Sequence, residues 1–358
     1  MRKLLAAIVP LALASLVGGY IVIGGNAEKV DLSKGAQKAY SLLSDKCARG
    51  NAAACDQMKI VEIALNLDFD GAIKMIKDRS EGDDFFAAEC HQVAHIIGRI
   101  AYVELGIKPV VDTMPGICRA GIIHGAQEEW SDDKDLDVLV REARTLCASL
   151  EDIGGSALDT CTHGIGHSYE HELGDWVAAG KLCEETLEGW KGAACLSGAV
   201  MSYIDIETEA GRLADEGNLM NIYNKCDSFS PPGIIECSRS TGLAFMAGTG
   251  NNVSRSAEIC KGGKSELVGD CMVGVGMQNG YVNAATPQGS VAACMTLPGS
   301  VQDPCLAGAA LWIATNMMDV PASKQICATR PEGQGEFCKL IMSQVEAQSK
   351  SMELLENR

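Results

Sequence analysis

The 358-residue chain is poor in aromatic side chains, at 5%, and holds only 10 prolines and six histidines. It contains no CxxC pair, no CxxCH, no HExxH and no GxGxxG. Those absences remove zinc ribbons, thioredoxin-like redox motifs, covalently attached c-type haem, the common zinc-protease helix and the dinucleotide-binding fingerprint. No nucleophile elbow supports Ser-His-Asp catalysis. Positive charge is short as well. A net charge of −17 makes nucleic acid and anionic lipid poor partners.

Cysteine, by contrast, is abundant: there are 16, an even number. Without zinc-type spacing, that count points to disulfides and an extracytoplasmic compartment, the periplasm or cell exterior. The start of the chain agrees. Arg2 and Lys3 precede an apolar run from Leu4 to about Gly25, interrupted by Pro10. Residues 1–25 therefore read as a signal peptide or an uncleaved N-terminal membrane anchor, the only membrane contact expected.

After this leader, residues 26–83 read as N-terminal helical hairpins, with helices over Ser33–Leu43, Met58–Leu65 and Asp70–Lys77 and an acidic turn at Glu81-Gly82-Asp83-Asp84. The segment Ser41-Leu42-Leu43-Ser44-Asp45-Lys46-Cys47-Ala48-Arg49-Gly50-Asn51-Ala52-Ala53-Ala54-Cys55 resembles the helix–turn–helix of secreted, cysteine-rich Sel1-like repeats. In those, two cysteines staple each hairpin, which implies a Cys47–Cys55 bond and a role in protein–protein contact.

Further on the cysteines themselves repeat. They fall as Cys147/Cys161, Cys183/Cys195, Cys226/Cys237, Cys260/Cys271, Cys294/Cys305 and Cys327/Cys338, and the last four pairs are eleven positions apart. From Cys226 the first cysteines recur every 33 or 34 residues, the period of TPR-like and Sel1-like helical hairpins. Turn formers such as Ser230-Pro231-Pro232-Gly233 and Pro298-Gly299 lie between the paired cysteines. Each unit reads as helix, cysteine, turn, cysteine, helix. Cys90 and Cys118 then pair by elimination. The fold class is all-α, a disulfide-stapled array of helical-hairpin repeats of solenoid type. Its sections are a histidine-bearing region at 84–180, stapled repeats at 181–345 and a polar tail at 346–358.

Aligned on the second cysteine, the units place glycine three residues on, at Gly121, Gly164, Gly198, Gly274 and Gly308. Small residues there let neighbouring helices approach closely. Six residues on stand His124, His167, Met201, Leu243, Met277 and Leu311. Four apolar occupants mark this register as inward, and two units carry histidine in it.

All six histidines lie between residues 91 and 171, each shortly after a cysteine. His91/His95, His124/Glu128 and His167/His171 are i,i+4 pairs, and His163 lies one turn before His167. Such pairs on helix faces chelate transition metals. The candidate ligands are His91, His95, His124, His163, His167 and His171, with Glu128, Glu129, Glu170 and Glu172 nearby. Imidazole with oxygen donors suits Zn, Cu or Fe better than Ca or Mg. Met201 and Met277 would favour copper if they ligate, and are core filler otherwise. Glu128 and Glu170 are the candidates for a general base in oxidative or hydrolytic chemistry. His167-Ser168-Tyr169-Glu170-His171 also reads as HxxEH, the inverted zinc-protease string. The sequence thus describes an exported transition-metal-binding repeat protein. The alternative is a non-catalytic extracytoplasmic scaffold that recruits a protein partner on its repeat surface, its histidines completing hydrogen-bond networks only.

Overall fold

Ser33 starts the first helix by accepting from the Ala36 amide at 3.1 Å, which satisfies one of the free N–H groups of α1 (Lys34–Ala48). Gly50, at φ +89°, turns the chain back, and Asn51 caps α2 (Ala52–Leu65) by accepting from Ala54 at 3.0 Å. The Cys47–Cys55 disulfide spans this turn. Then come α3 (Phe69–Gly82) and α4 (Asp84–Leu105), so Glu81, Gly82 and Asp84 of the expected acidic turn are helical, and Asp83 lies outside the described residues.

The computed structural model describes residues 32–82, 84–113, 117–132, 134–151, 155–209, 212, 216–283, 286–316, 319–329 and 335–356. The N-terminal leader or anchor lies outside these. Among the described residues there are eighteen α-helices and no strand, and no helix is long and apolar enough to cross a membrane.

From α4 onward, even-numbered helices pack each on the next: α4, α6 (Ile117–Asp132), α8 (Gly155–Leu173), α10 (Trp190–Glu209), α12 (Pro231–Gly248), α14 (Val268–Val282), α16 (Gly299–Asn316) and α18 (Glu336–Glu356). The last of them also touches α8. The odd-numbered helices between them are shorter and pack against an even neighbour: α5 (Ile107–Thr113), α7 (Leu136–Leu146), α9 (Trp176–Thr186), α11 (Glu216–Lys225), α13 (Val253–Gly262), α15 (Pro287–Met295) and α17 (Val320–Cys327).

Disulfides fix this alternation. Cys147–Cys161, Cys183–Cys195, Cys226–Cys237, Cys260–Cys271, Cys294–Cys305 and Cys327–Cys338 each join the end of an odd helix to the first turns of the next even one. Cys90–Cys118 joins α4 to α6 directly. Closing loops of this length contributes about 2–3 kcal/mol each, mostly by restricting the unfolded chain. That supplement matters in a core where, among the described residues, the aromatics below 2% exposure are Trp130, Tyr169 and Phe245.

Glycine sets the spacing of the even helices. A Cβ on Gly166 would lie 1.8 Å from the Cys195 carbonyl oxygen, and one on Gly198 would lie 1.9 Å from that of His163. The same reciprocal pair recurs between α12 and α14, with Gly242 on Cys271 and Gly274 on Arg239, and between α14 and α16, with Gly276 on Cys305 and Gly308 on Val273. The rule is simple. Glycine five residues after one cysteine rests on the next unit's cysteine, and glycine three residues after that cysteine rests on the previous helix. Between α10 and α12 the pattern lapses, and the Ser197 and Ser240 hydroxyls hydrogen-bond at 3.2 Å instead. In the register six residues past the cysteine, His124 and His167 are buried, while Met201, Leu243, Met277 and Leu311 are half-buried.

Candidate metal centre

Three helices present polar stripes at one-turn intervals. On α4 these are His91, His95 and Arg99; on α6, His124, Glu128 and Asp132; on α8, His163, His167 and His171. Because α6 packs between α4 and α8, the stripes align as three layers. In the first, the His124 ring lies 5.5 Å from that of His91 and 5.3 Å from that of His163. In the second, Glu128 Oε1 lies 3.1 Å from His95 Nδ1 and 3.7 Å from His167 Nδ1. In the third, Asp132 stands 3.6 Å from the Arg99 guanidinium and 3.2 Å from His171 Nδ1.

Hydrogen bonding fixes which imidazole nitrogens carry protons. Only an N–H can pair with a carbonyl oxygen, so His91 donates from Nδ1 to Cys118 at 2.7 Å and His124 from Nε2 to Thr160 at 3.1 Å. His95 likewise donates from Nδ1 to the Glu128 carboxylate. In the neutral rings the lone pairs then sit on His91 Nε2, His95 Nε2 and His124 Nδ1. Two of these, His91 Nε2 and His95 Nε2, face each other at 3.0 Å. Lone pair against lone pair is repulsive at that distance, and either a second proton on one ring or a metal cation between the rings relieves it. The spacing also equals that of neighbouring ligands on one ion, about 2.9–3.3 Å for nitrogens held at about 2.0–2.1 Å.

His124 completes the group. Its Nδ1 is buried with no hydrogen-bond partner, a costly arrangement that an ion would relieve. Burial, with repulsion from His167 and His95, holds this imidazole well below its usual pKa and keeps it neutral, the form a metal needs. One ring nitrogen from each of His91, His95 and His124 lies within 4.8 Å of the others. Each ring's second nitrogen is held by a carbonyl or carboxylate, as in histidine ligands generally.

Glu128 is placed to orient two of these imidazoles. One oxygen serves the two histidines and the other accepts from Arg99 at 2.7 Å. Burial opposes its charge, but His95, Arg99 and His167 outweigh it and hold the carboxyl far below the usual range. Arg99 is held in turn by Glu129 at 2.9 Å. Glu170 turns away to α10, where it accepts from the Ser202 hydroxyl at 2.7 Å, and burial raises its pKa. Glu172 is exposed.

Five of the six candidate histidines therefore gather on one side of α6. The sixth, His171, is 46% exposed and engaged with Asp132. The HxxEH string is split accordingly, with His167 buried in the cluster and His171 facing water. His171→Ala is expected to leave metal affinity within about twofold and to cost less than about 1 kcal/mol, as exposed ion pairs do. Titration of the variant beside wild type checks this, and a tenfold loss would place His171 among the ligands.

Two contributors went unnoticed in the sequence. Arg99 follows His95 by one helical turn, and that continuation of the stripe is the signal that locates it. Gln127 donates to the Cys161 carbonyl at 2.9 Å and packs on Gly164, joining α6 to α8. No local pattern announces it. No protein-family model, no curated protein and no solved structure matches the chain.

Proposed function

We propose that this protein binds a transition-metal ion through His91, His95 and His124, outside the cytoplasm, on a disulfide-stapled helical scaffold related in layout to Sel1-like and TPR-like repeats. The observation that carries the reading is the convergence of one ring nitrogen from each of the three histidines within 4.8 Å of one another, with His91 Nδ1, His95 Nδ1 and His124 Nε2 engaged by a carbonyl or carboxylate. The buried His124 Nδ1, which has no hydrogen-bond partner, supports a ligand role for that nitrogen. Imidazole donors suit zinc, copper or iron.

Three protein nitrogens leave a coordination position for water or a substrate oxygen, the arrangement of catalytic sites. An ion there would supply Lewis-acid or oxidative chemistry. Eight disulfides support the extracytoplasmic placement. The units after Cys183 carry no histidine, which supports a role for them in extending the scaffold towards a protein partner.

Elemental analysis of untagged, fully oxidised protein from its own host tests the proposal. Near-stoichiometric Zn, Cu or Fe is expected in wild type, and His124→Ala should lose at least nine-tenths of it. Oxidised, folded wild type that takes up none of these ions would sink the reading and leave the scaffold alternative.

A further inference from the structure

The arrangement on α8 mirrors that on α4. His163 and His167 form an i,i+4 pair whose Nε2 atoms lie 3.1 Å apart, against 3.0 Å for His91 and His95. The His124 ring lies 5.3 and 5.4 Å from the α8 rings and 5.5 and 5.8 Å from the α4 rings. Glu128 Oε1 faces Nδ1 of His167 as it faces Nδ1 of His95, which turns both Nε2 atoms to the opposite side of their rings. The α6 stripe is thus flanked by two similarly spaced histidine pairs.

One ion cannot serve both pairs in this geometry. Nitrogens bound to one ion at about 2.1 Å lie no more than about 4.2 Å apart. The cluster of donor atoms that meet within 4.8 Å of one another takes in His91, His95 and His124 and does not extend to His163 and His167. Ring separations between the α8 pair and its neighbours His95 and His124 run from 5.3 to 6.2 Å. They leave room for two ions at the roughly 3.5–4 Å separation of two-metal sites.

We infer that His163 and His167 hold a second transition-metal ion beside the first, so that the centre is dinuclear. The inference rests on the metal-binding reading of His91, His95 and His124. Two protein nitrogens leave the second ion open to a solvent oxygen or small anion shared with the first. That places a substrate oxygen between two Lewis acids, whereas a mononuclear site would hold it from one side only. Arg99, Asp132 and His171 cover the other end of the stripes, so the shared ligand belongs at the histidine end.

Zinc titration of the oxidised, metal-stripped full chain, read by equilibrium dialysis and elemental analysis, decides the matter. Wild type is expected to saturate at two equivalents. The His163→Gln, His167→Gln double variant, which keeps side-chain polarity, should saturate at one, with a far-ultraviolet spectrum and disulfide content like wild type. Wild type that saturates at one equivalent overturns the second site and leaves the first standing. If the double variant then binds none, a single shared ion is established in place of two. Wild type that binds no zinc, copper or iron removes the underlying reading as well. Wild-type stoichiometry decides the inference even if the double variant fails to fold.

Discussion

Gly274→Ala is expected to lower stability by roughly 3 kcal/mol and the melting temperature by roughly 5–10 °C. The added methyl would meet the Arg239 carbonyl oxygen at 1.8 Å and the Gly242 Cα at 3.0 Å. Neither obstacle is the flexible end of a side chain, so α12 and α14 would have to separate. Separation would carry strain to the Cys260–Cys271 and Cys226–Cys237 staples at the ends of those helices. Gly262→Ala in α13 is the control, since a Cβ there has nothing within 4 Å. Thermal melts of both variants at neutral pH give the comparison. A Gly274→Ala protein that melts within 2 °C of wild type (a window of about 1 kcal/mol or less) would show that the helices do not rest backbone on backbone.

Glu128→Leu is expected to weaken metal binding about 10–100-fold and to destabilise the metal-free protein by about 3 kcal/mol. Both effects follow from one carboxylate with three partners. Without it His95 and His167 lose the acceptor that sets their orientation, and Arg99 keeps only Glu129 and Asp132. The two effects are separable. Adding Arg99→Met to Glu128→Leu takes the guanidinium from the buried Glu129 carboxylate, so stability should fall further while affinity stays low. Denaturant melts and competition titrations with a zinc chelator measure the two quantities independently. Unchanged affinity in folded Glu128→Leu would mean that Glu128 orients nothing.

Much of this was legible in the sequence, for reasons that differ by element. Cysteine spacing exposed the staples because a helix, a tight turn and a second helix fix the loop that a disulfide can close. The gathering of His91, His95, His124, His163 and His167 was legible because helical periodicity gives each pair a common face. What periodicity cannot give is the rotation of one helix against another. That rotation sends Glu170 to Ser202 on α10 and His171 to the rim, although both belong to the same histidine-rich string. It also sets Glu128, a candidate base by composition, between His95 and His167. The second glycine register at Gly166, Gly242 and Gly276 was present in the alignment of units, but its purpose appears only when the facing carbonyls are placed.

The Cys90–Cys118 bond ties together the helices that carry His91 and His124, and the Cys118 carbonyl itself holds the His91 ring. The Cys147–Cys161 bond does the same for the start of α8, beside the Thr160 carbonyl that holds His124. Ligand geometry is thus downstream of thiol oxidation. A newly made chain with reduced cysteines would carry all six histidines without the two staples that flank them. On the proposed reading, maturation would have a direction: export, oxidation, and only afterwards loading with whichever ion the outer compartment supplies.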